Sequence, residues 1–328
     1  PRALIGGAQG RDLMEAREIK DRIHWLGAVD WDRRLFDSLI PLPDGTSYNA
    51  YLIQGSEKTA LLDTVDPTTV DVLMAQLQDV LYWHWSPNYG FEINFRLEGY
   101  NEVLITYVMA ASSTTHPIPK EAYDRGWALD GNIKYDGIAY GYPLLVRHQG
   151  ALDYGGPLFW SHYSYLGLNP SGLSDGYANY EEVNKNHAMI NYRYCQENPR
   201  NYVGYGQGFW GLTASYSRNQ DGSIGYAAHA PGNDLGIISP TAALSSMPYT
   251  PVQSLMALRS FYEHREKLLG PAGFYDAFAS DLNWVAEAYL AIDQGPEIIM
   301  IENYRSGLLW DLFMRNEEVR SGLDQLGF

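Results

Sequence analysis

Two stretches of this chain leave almost no side for water, and they constrain its fold more than any other feature. VLITYVMAA (residues 103–111) is apolar around its whole circumference, and the run inside PEIIMIENY (296–304) is nearly so. Helices of that kind belong in the interior of a domain, and neither run nears the ~18 residues that would make it a candidate membrane span. A chain of 328 residues is long enough to bury them in a sizeable core.

Each run has a carboxylate at its head. Glu102 stands where the aromatic loop text EGYNE gives way to the first run, and Asp293 stands in YLAIDQGPEIIM just before the second. For Glu102 the plain reading is an acid in the first helical turn, with Asn101 or Tyr100 near the cap, satisfying free N–H groups and the helix dipole. The chemical reading is a partly desolvated carboxyl with a raised pKa, able to protonate a leaving oxygen. Both stay open on local grounds. Two such carboxylates on rigid helices are what glycoside hydrolysis uses, one as acid and one to activate water or attack carbon.

The aromatic share bears on the same question. Aromatic residues make up 14%, with 26 Tyr and 9 Trp, and many fall in loops: LYWHWSPNYGF (81–91), PLFWSHYSYLGLNP (157–170) and YVGYGQGFWG (202–211). Amphipathic rings in irregular segments suit a surface that stacks on sugar, although such loops can also bury their own rings as a satellite core. With 39 acidic against 23 basic side chains the net charge is −16, which repels phosphate backbones and anionic lipid, so neither nucleic acid nor membrane is expected as a partner. Cys195 has no partner for a disulfide, and no charged and apolar leader precedes Gly6. A chain opening at Pro1 is compatible with a trimmed leader, and a periplasmic or extracellular location is the expectation. The sequence is silent on oligomeric state.

Along the chain, TSYNAYLI and TALLDT flank the turn-like QGSEK and predict a hairpin over 46–64. Residues 10–36 fit helical spacing through Leu13, Ile19, Ile23 and Leu26, and equally an alternation through Ile23, Trp25, Gly27 and Val29. Asp66 and Pro67 open a predicted helix to about residue 80. The texture then changes to aromatic loops between helices, with no strand ladder, which places a boundary near 80. Helices are predicted at roughly 101–112, 120–130, 177–197, 240–247, 252–269, 295–314 and 316–326, with Gly270 closing the fifth.

Three motifs carry little weight. Gly206, Gly208 and Gly211 spell G-x-G-x-x-G without the strand and helix that a dinucleotide site needs. Ser174 in GLSDG has the spacing of a nucleophile elbow but follows turn residues rather than a strand. The eight histidines never approach H-x-H or H-E-x-x-H spacing, so no metal site is expected.

From about residue 79 to 328 the chain closely resembles the bacterial glycoamylase-like family, whose characterised relatives include endo-β-1,2-glucanases. The matching text is VLYWHWSPNYGFEINF, GYNEVLITYVMAASSTTHPI, PLFWSHYSYLGLNP, FWGLTAS, SPTAALSSMPYTP, GPAGFYDAF and YLAIDQGPEIIMIENYRSGLLWDLF. The resemblance implies a mainly α fold, an (α/α) toroid-type glycoside hydrolase of which this chain carries an incomplete set of helices, with a short N-terminal α/β segment containing the hairpin. It implies Glu102 as general acid and Asp293 as the second carboxylate, the latter staying ionised beside Gln294 and Arg305. Inversion is favoured, which keeps such carboxyls roughly 6.5–9.5 Å apart. Trp83, Trp85, Tyr89, Trp160, Tyr163 and Trp210 would stack on a glucan, β-1,2-linked by preference, with His162, Arg193, Gln207, Tyr289 and Arg305 as further binding residues. GRDLMEA (10–16) is similar to an acidic segment of the family's leading half and makes Asp12 and Glu15 additional acids. Residues 18–78 resemble instead the opening of flavodiiron proteins, which carry a metallo-β-lactamase-like domain. The ligand cluster of that family does not follow, so no cofactor is expected. The domains read as 1–80 and 81–328, with a non-catalytic sugar-binding remnant or a flavodiiron-type oxidoreductase module as the alternatives to an enzyme.

Overall fold

The computed structural model describes residues 16–30, 33–36, 40–41, 43, 45–56, 59–62, 80–84, 92–115, 117–219 and 221–328. Two compact units divide the chain, Pro1–Arg96 and Leu97–Phe328. The sequence reading sets its boundary near 80; the division between the units falls at 96 and 97.

In the first unit the ambiguity over 10–36 resolves as strand for the described residues 17–20 and 23–30. An antiparallel sheet runs β1 (Arg17–Lys20), β2 (Ile23–Asp30), β3 (Thr46–Gln54) and β4 (Thr59–Leu62), in that order. The register from Ile23 opposite Ile53 to Asp30 opposite Thr46 puts Leu26, Ala28 and Ala50 on one buried cluster. Gly27 lies on the crowded ladder, where a Cβ would meet the Trp25 ring at 2.1 Å and the Tyr48 carbonyl at 2.6 Å. The predicted hairpin is the β3–β4 pair, with Tyr51 opposite Leu62. The predicted helix after Asp66 lies outside the described residues.

The second unit is mainly helical. Its helices are α1 (Leu104–Ala111), α2 (Lys120–Arg125), α3 (Tyr180–Glu197), α4 (Pro240–Ser245), α5 (Pro251–Glu263), α6 (Arg265–Leu268), α7 (Ala291–Ser306), α8 (Leu308–Met314) and α9 (Glu317–Leu326). Local chemistry explains their ends. Asn179 accepts from the Glu182 amide at 3.1 Å and starts α3, Asn198 in the left-handed region stops it, and Pro240 and Pro251 open α4 and α5. The helix expected over 252–269 breaks at His264, whose ring bonds to the Ser260 carbonyl at 2.8 Å, and Gly270 pairs with Gly273 in a small hairpin instead. The helix expected over 295–314 is two, parted at Gly307 (φ +70°), and Asn303 Oδ1 accepts from the Leu309 and Trp310 amides at 3.1 Å to start the second.

Strands do occur here, against the expectation of none. β5 (Ala214–Arg218) pairs with β6 (Ile224–Ala228), and β7 (Ala277–Ala279) with β8 (Trp284–Ala286). They are short ribbons rich in Ser, Gly and Ala, and the two pack on each other through Ala277, Ala279, Ala286, Tyr216 and Trp284. The core gathers Leu158, Met189, Trp210, Leu212, Leu244, Phe261, Phe278 and Met300. Many tyrosines are taken into the interior by pairing their hydroxyls with carboxylates: Tyr123 and Tyr180 donate to the half-buried Asp175, and Tyr194 and Tyr205 to the buried Asp234. Much of the aromatic share therefore serves the interior.

Both sequence decoys have structural explanations. Ser174 sits in a turn bridged to Asn179, not on an elbow. In the glycine triplet, a Cβ on Gly208 would meet Ser260 Oγ at 2.1 Å, and one on Gly211 the Ser239 carbonyl at 2.8 Å, so the loop needs glycine to pack against its neighbours.

Candidate active site

Glu102 precedes α1 rather than lying in its first turn. Val103 is the N-cap, and the first turn of the helix holds no acid, so the carboxylate is not occupied with capping. The surrounding backbone is pinned from two sides. Asn101 Oδ1 accepts from the Val103 amide at 3.0 Å while its Nδ2 donates to Gln149 at 2.8 Å. Ser164 Oγ accepts from the Ile105 amide at 3.1 Å and donates to the Glu102 carbonyl at 2.5 Å. The side chain is half-buried, and burial raises its carboxyl above the ordinary range.

Asp293 is the third residue of α7, which begins at Ala291, four residues before the expected start. Starting there puts Pro296 inside the helix, where it has no N–H to offer the Ile292 carbonyl. The Tyr163 hydroxyl donates to that carbonyl instead. This bond brings the aromatic loop against the head of α7, and Tyr163 senses both acids: burial raises its hydroxyl first, and the charges of Asp293, Tyr226 and Glu102 add to it. Asp293 lines a small hollow with Phe159, Tyr163, Thr213, Thr241 and Pro296.

The expected ionisation of Asp293 is overturned. It is 6% exposed, and burial followed by the neighbouring Asp276 pushes its carboxyl up to about 8. Arg305 is no counter-ion for it. That guanidinium lies in the last turn of α7 and pairs with Glu302 at 2.9 Å, and Gln294 donates to the Phe274 carbonyl at 3.1 Å.

Asp276 is the acid of this hollow's surroundings that the sequence reading missed. It is wholly buried ahead of β7, its Oδ2 accepts from the Tyr216 amide at 2.8 Å, and its carboxyl is close enough to that of Asp293 for each to act on the other's ionisation. Its raised pKa comes first from burial. The one sequence signal was its place in GPAGFYDAF, a stretch quoted for family likeness and not for its acid. Glu297, one turn beyond Asp293, is a further acid, half-buried with its Oε2 buried and unpartnered, and burial pushes it up to about 7.

The remaining candidates divide. His162 lines the Asp293 hollow, but it is buried, bonds to Ser246 at 3.0 Å and is pushed down to about 3, by burial and then by His187, so it serves as a neutral hydrogen-bonding ring. Trp160 is half-buried, 6.0 Å from the His148 ring. Trp210 is a correction: it is fully buried, donates to the Gln253 carbonyl at 3.3 Å and leaves no face for a sugar. Arg193 bonds to Gln196 at 2.6 Å, and Gln207 is exposed in a turn closed between Gly206 and Phe209. Tyr289 stacks on Tyr275 at 5.4 Å and accepts from the Ala272 amide at 3.2 Å. Trp83, in the first unit, is 55% exposed and meets Phe95 edge-on. Asp12, Glu15, Trp85 and Tyr89 lie outside the described residues. Among the described residues, no three His, Cys, Asp or Glu side chains group to hold a metal, and no helix is long and apolar enough to cross a membrane.

The site thus has a half-buried acid ahead of α1 and a buried one in the first turn of α7, in a mainly helical unit threaded by aromatic loops. The chain belongs to the family described as "Glycoamylase: Putative glucoamylase", whose model matches residues 94–317. It is similar to the solved endo-β-1,2-glucanase from Chitinophaga pinensis, at 58% identity and a TM-score of 0.73, over 76% of this chain and 59% of that one. It is 43% identical over 266 residues to the exo β-1,2-glucooligosaccharide sophorohydrolase (non-reducing end) of Parabacteroides distasonis, covering 75% of this chain and 36% of that protein. The chain thus spans little more than a third of that curated relative. A separate likeness, 44% identity over 66 residues, links 20% of the chain to 16% of the coenzyme F420H2 oxidase of Methanothermobacter marburgensis.

Proposed function

We propose that the protein is a glycoside hydrolase cleaving a β-linked glucan, with β-1,2-glucan the favoured substrate. The observation that carries this reading is that Glu102 and Asp293, 191 positions apart, both act electrostatically on the Tyr163 hydroxyl, in a chain whose relatives are named as β-1,2-glucan hydrolases. Glu102, half-buried and raised, is suited to hand a proton to the glycosidic oxygen as its bond to carbon breaks. The Asp293 side of the site activates the attacking water, with inversion at the anomeric carbon. Trp160 and Tyr163, both half-buried, offer ring faces for stacking. The mainly α unit would be part of an (α/α) toroid, and a polymeric substrate suits a periplasmic or extracellular location.

The test is incubation with linear β-1,2-glucan and a panel of other α- and β-glucans, with products separated by chromatography and their anomers followed by NMR. Release of β-1,2-linked oligosaccharides of inverted configuration supports the reading. Glucan binding without turnover would make the chain a sugar-binding module, and stoichiometric iron in the purified protein would favour the flavodiiron-type alternative.

A further inference from the structure

We infer that Asp276 and Asp293 form one carboxyl dyad holding a single proton and a single negative charge, and that this dyad, not Asp293 alone, receives the proton of the attacking water. The catalytic half of this inference rests on the reading proposed above.

The two acids come from separate elements, Asp276 from the approach to β7 and Asp293 from the first turn of α7. Asp276 Oδ1 and Asp293 Oδ2 are both buried, and neither meets an N–H or O–H donor of another residue. Among the described residues no cation offsets them. The groups facing Asp293 are Tyr163 from the aromatic loop, Tyr226 from β6 and Asp276 itself, with Glu102 beyond Tyr163, Glu297 one turn further along α7 and the neutral His162 on the wall of the hollow. Two adjoining buried carboxylates in such surroundings cannot both be ionised, and one proton between them gives each bare oxygen a partner. The Tyr216 amide, donating to Asp276 Oδ2 at 2.8 Å, favours charge on Asp276 and leaves the proton on Asp293, which faces the hollow.

The titration steps then belong to the pair. The upper one lies at about 8 and is written on Asp293, while the lower is raised above the usual carboxylate range by burial. Between them the dyad is a monoanion that can take up one proton. In the step, the water oxygen bonds to the anomeric carbon, the bond from that carbon to the leaving oxygen breaks, Glu102 gives its proton to the leaving oxygen, and the water's proton passes to the dyad, which becomes neutral. Solvent then restores both groups. A lone Asp293 protonated up to about pH 8 would be a poor base at neutrality; paired with an ionised Asp276 it need not be.

The experiment is 13C NMR of protein labelled at its aspartate carboxyls, titrated across the neutral range. Wild type should show one aspartate still protonated at neutral pH that titrates near 8. Asp293→Asn should remove that step, and Asp276→Asn should move it to lower pH while keeping an amide oxygen for the Tyr216 amide. Absence of a high-titrating aspartate in wild type overturns the dyad whether or not any glucan is cleaved, and so does an unmoved step in Asp276→Asn. If glucan is cleaved, Asp276→Asn should lower kcat about a hundredfold with KM little changed and shift the acidic limb of the pH profile. A wild-type kcat and profile in that variant, with Asp293→Asn inactive, would leave the dyad as structure and overturn its catalytic role. A dyad seen by NMR without turnover of any glucan would instead count against the hydrolase reading.

Discussion

Tyr163 donates its hydroxyl to the Ile292 carbonyl, the acceptor that Pro296, four residues further on, has no amide to serve. One bond thus mends the helix that carries Asp293 and fixes the ring that stands beside both acids. Tyr163→Phe should lower stability by about 1 kcal/mol, the usual net worth of such a bond. It should also lower kcat, because the head of α7 loses its anchor. Urea unfolding and steady-state kinetics on a β-glucan check the two effects, and unchanged values for both would show the bond to be incidental.

Glu102→Gln should lower turnover by about 10²–10⁴-fold, the range for removing a general acid, with melting unchanged or slightly raised. The expectation of a spared fold comes from the raised carboxyl: burial works against its charged form, and glutamine carries no charge. Near wild-type activity in the variant would remove Glu102 from the chemistry.

Stability should depend on pH in a direction set by the buried acids. A carboxyl whose folded pKa is raised gives a contribution that is complete below the unfolded value, about 4, and is lost as pH rises through the folded value. For Asp293 the loss therefore runs from about 4 to about 8, and Glu297, pushed up to about 7, adds to it. Urea midpoints measured across this window should fall with rising pH in wild type and fall less steeply in Asp293→Asn. Equal slopes in the two proteins would contradict the raised carboxyl.

The tryptophans should separate by burial. Trp210→Ala empties a fully buried site and should cost about 3–5 kcal/mol, whereas Trp83→Ala, at a ring 55% exposed, should cost less than about 1 kcal/mol. Trp160→Ala should weaken glucan binding more than it lowers the melting temperature. The reverse pattern for Trp160, melting lowered with affinity unchanged, would return its ring to the packing of the loop.

What the sequence determined by itself was whatever depends on near neighbours. Apolar runs at 103–111 and 298–301, the Asn179 cap and the prolines opening α4 and α5 are local signals, and the helices lie close to where they predict. Glu102 and Asp293 were legible for the same reason, each being a carboxylate at the edge of an apolar run, although the runs bury one side and not their whole circumference: Ile298 is 68% exposed where Met300 is fully buried. Tertiary structure decided the rest. Tyr163 allows α7 to begin ahead of Pro296, a bond spanning 129 positions that no window of sequence contains. Trp210 reads like any loop aromatic until the core closes over it. Asp276 is one acid among 39 acidic side chains until folding strips it of water and sets it against Asp293, and charge state depends on that desolvation and that neighbour, neither of which is written along the chain.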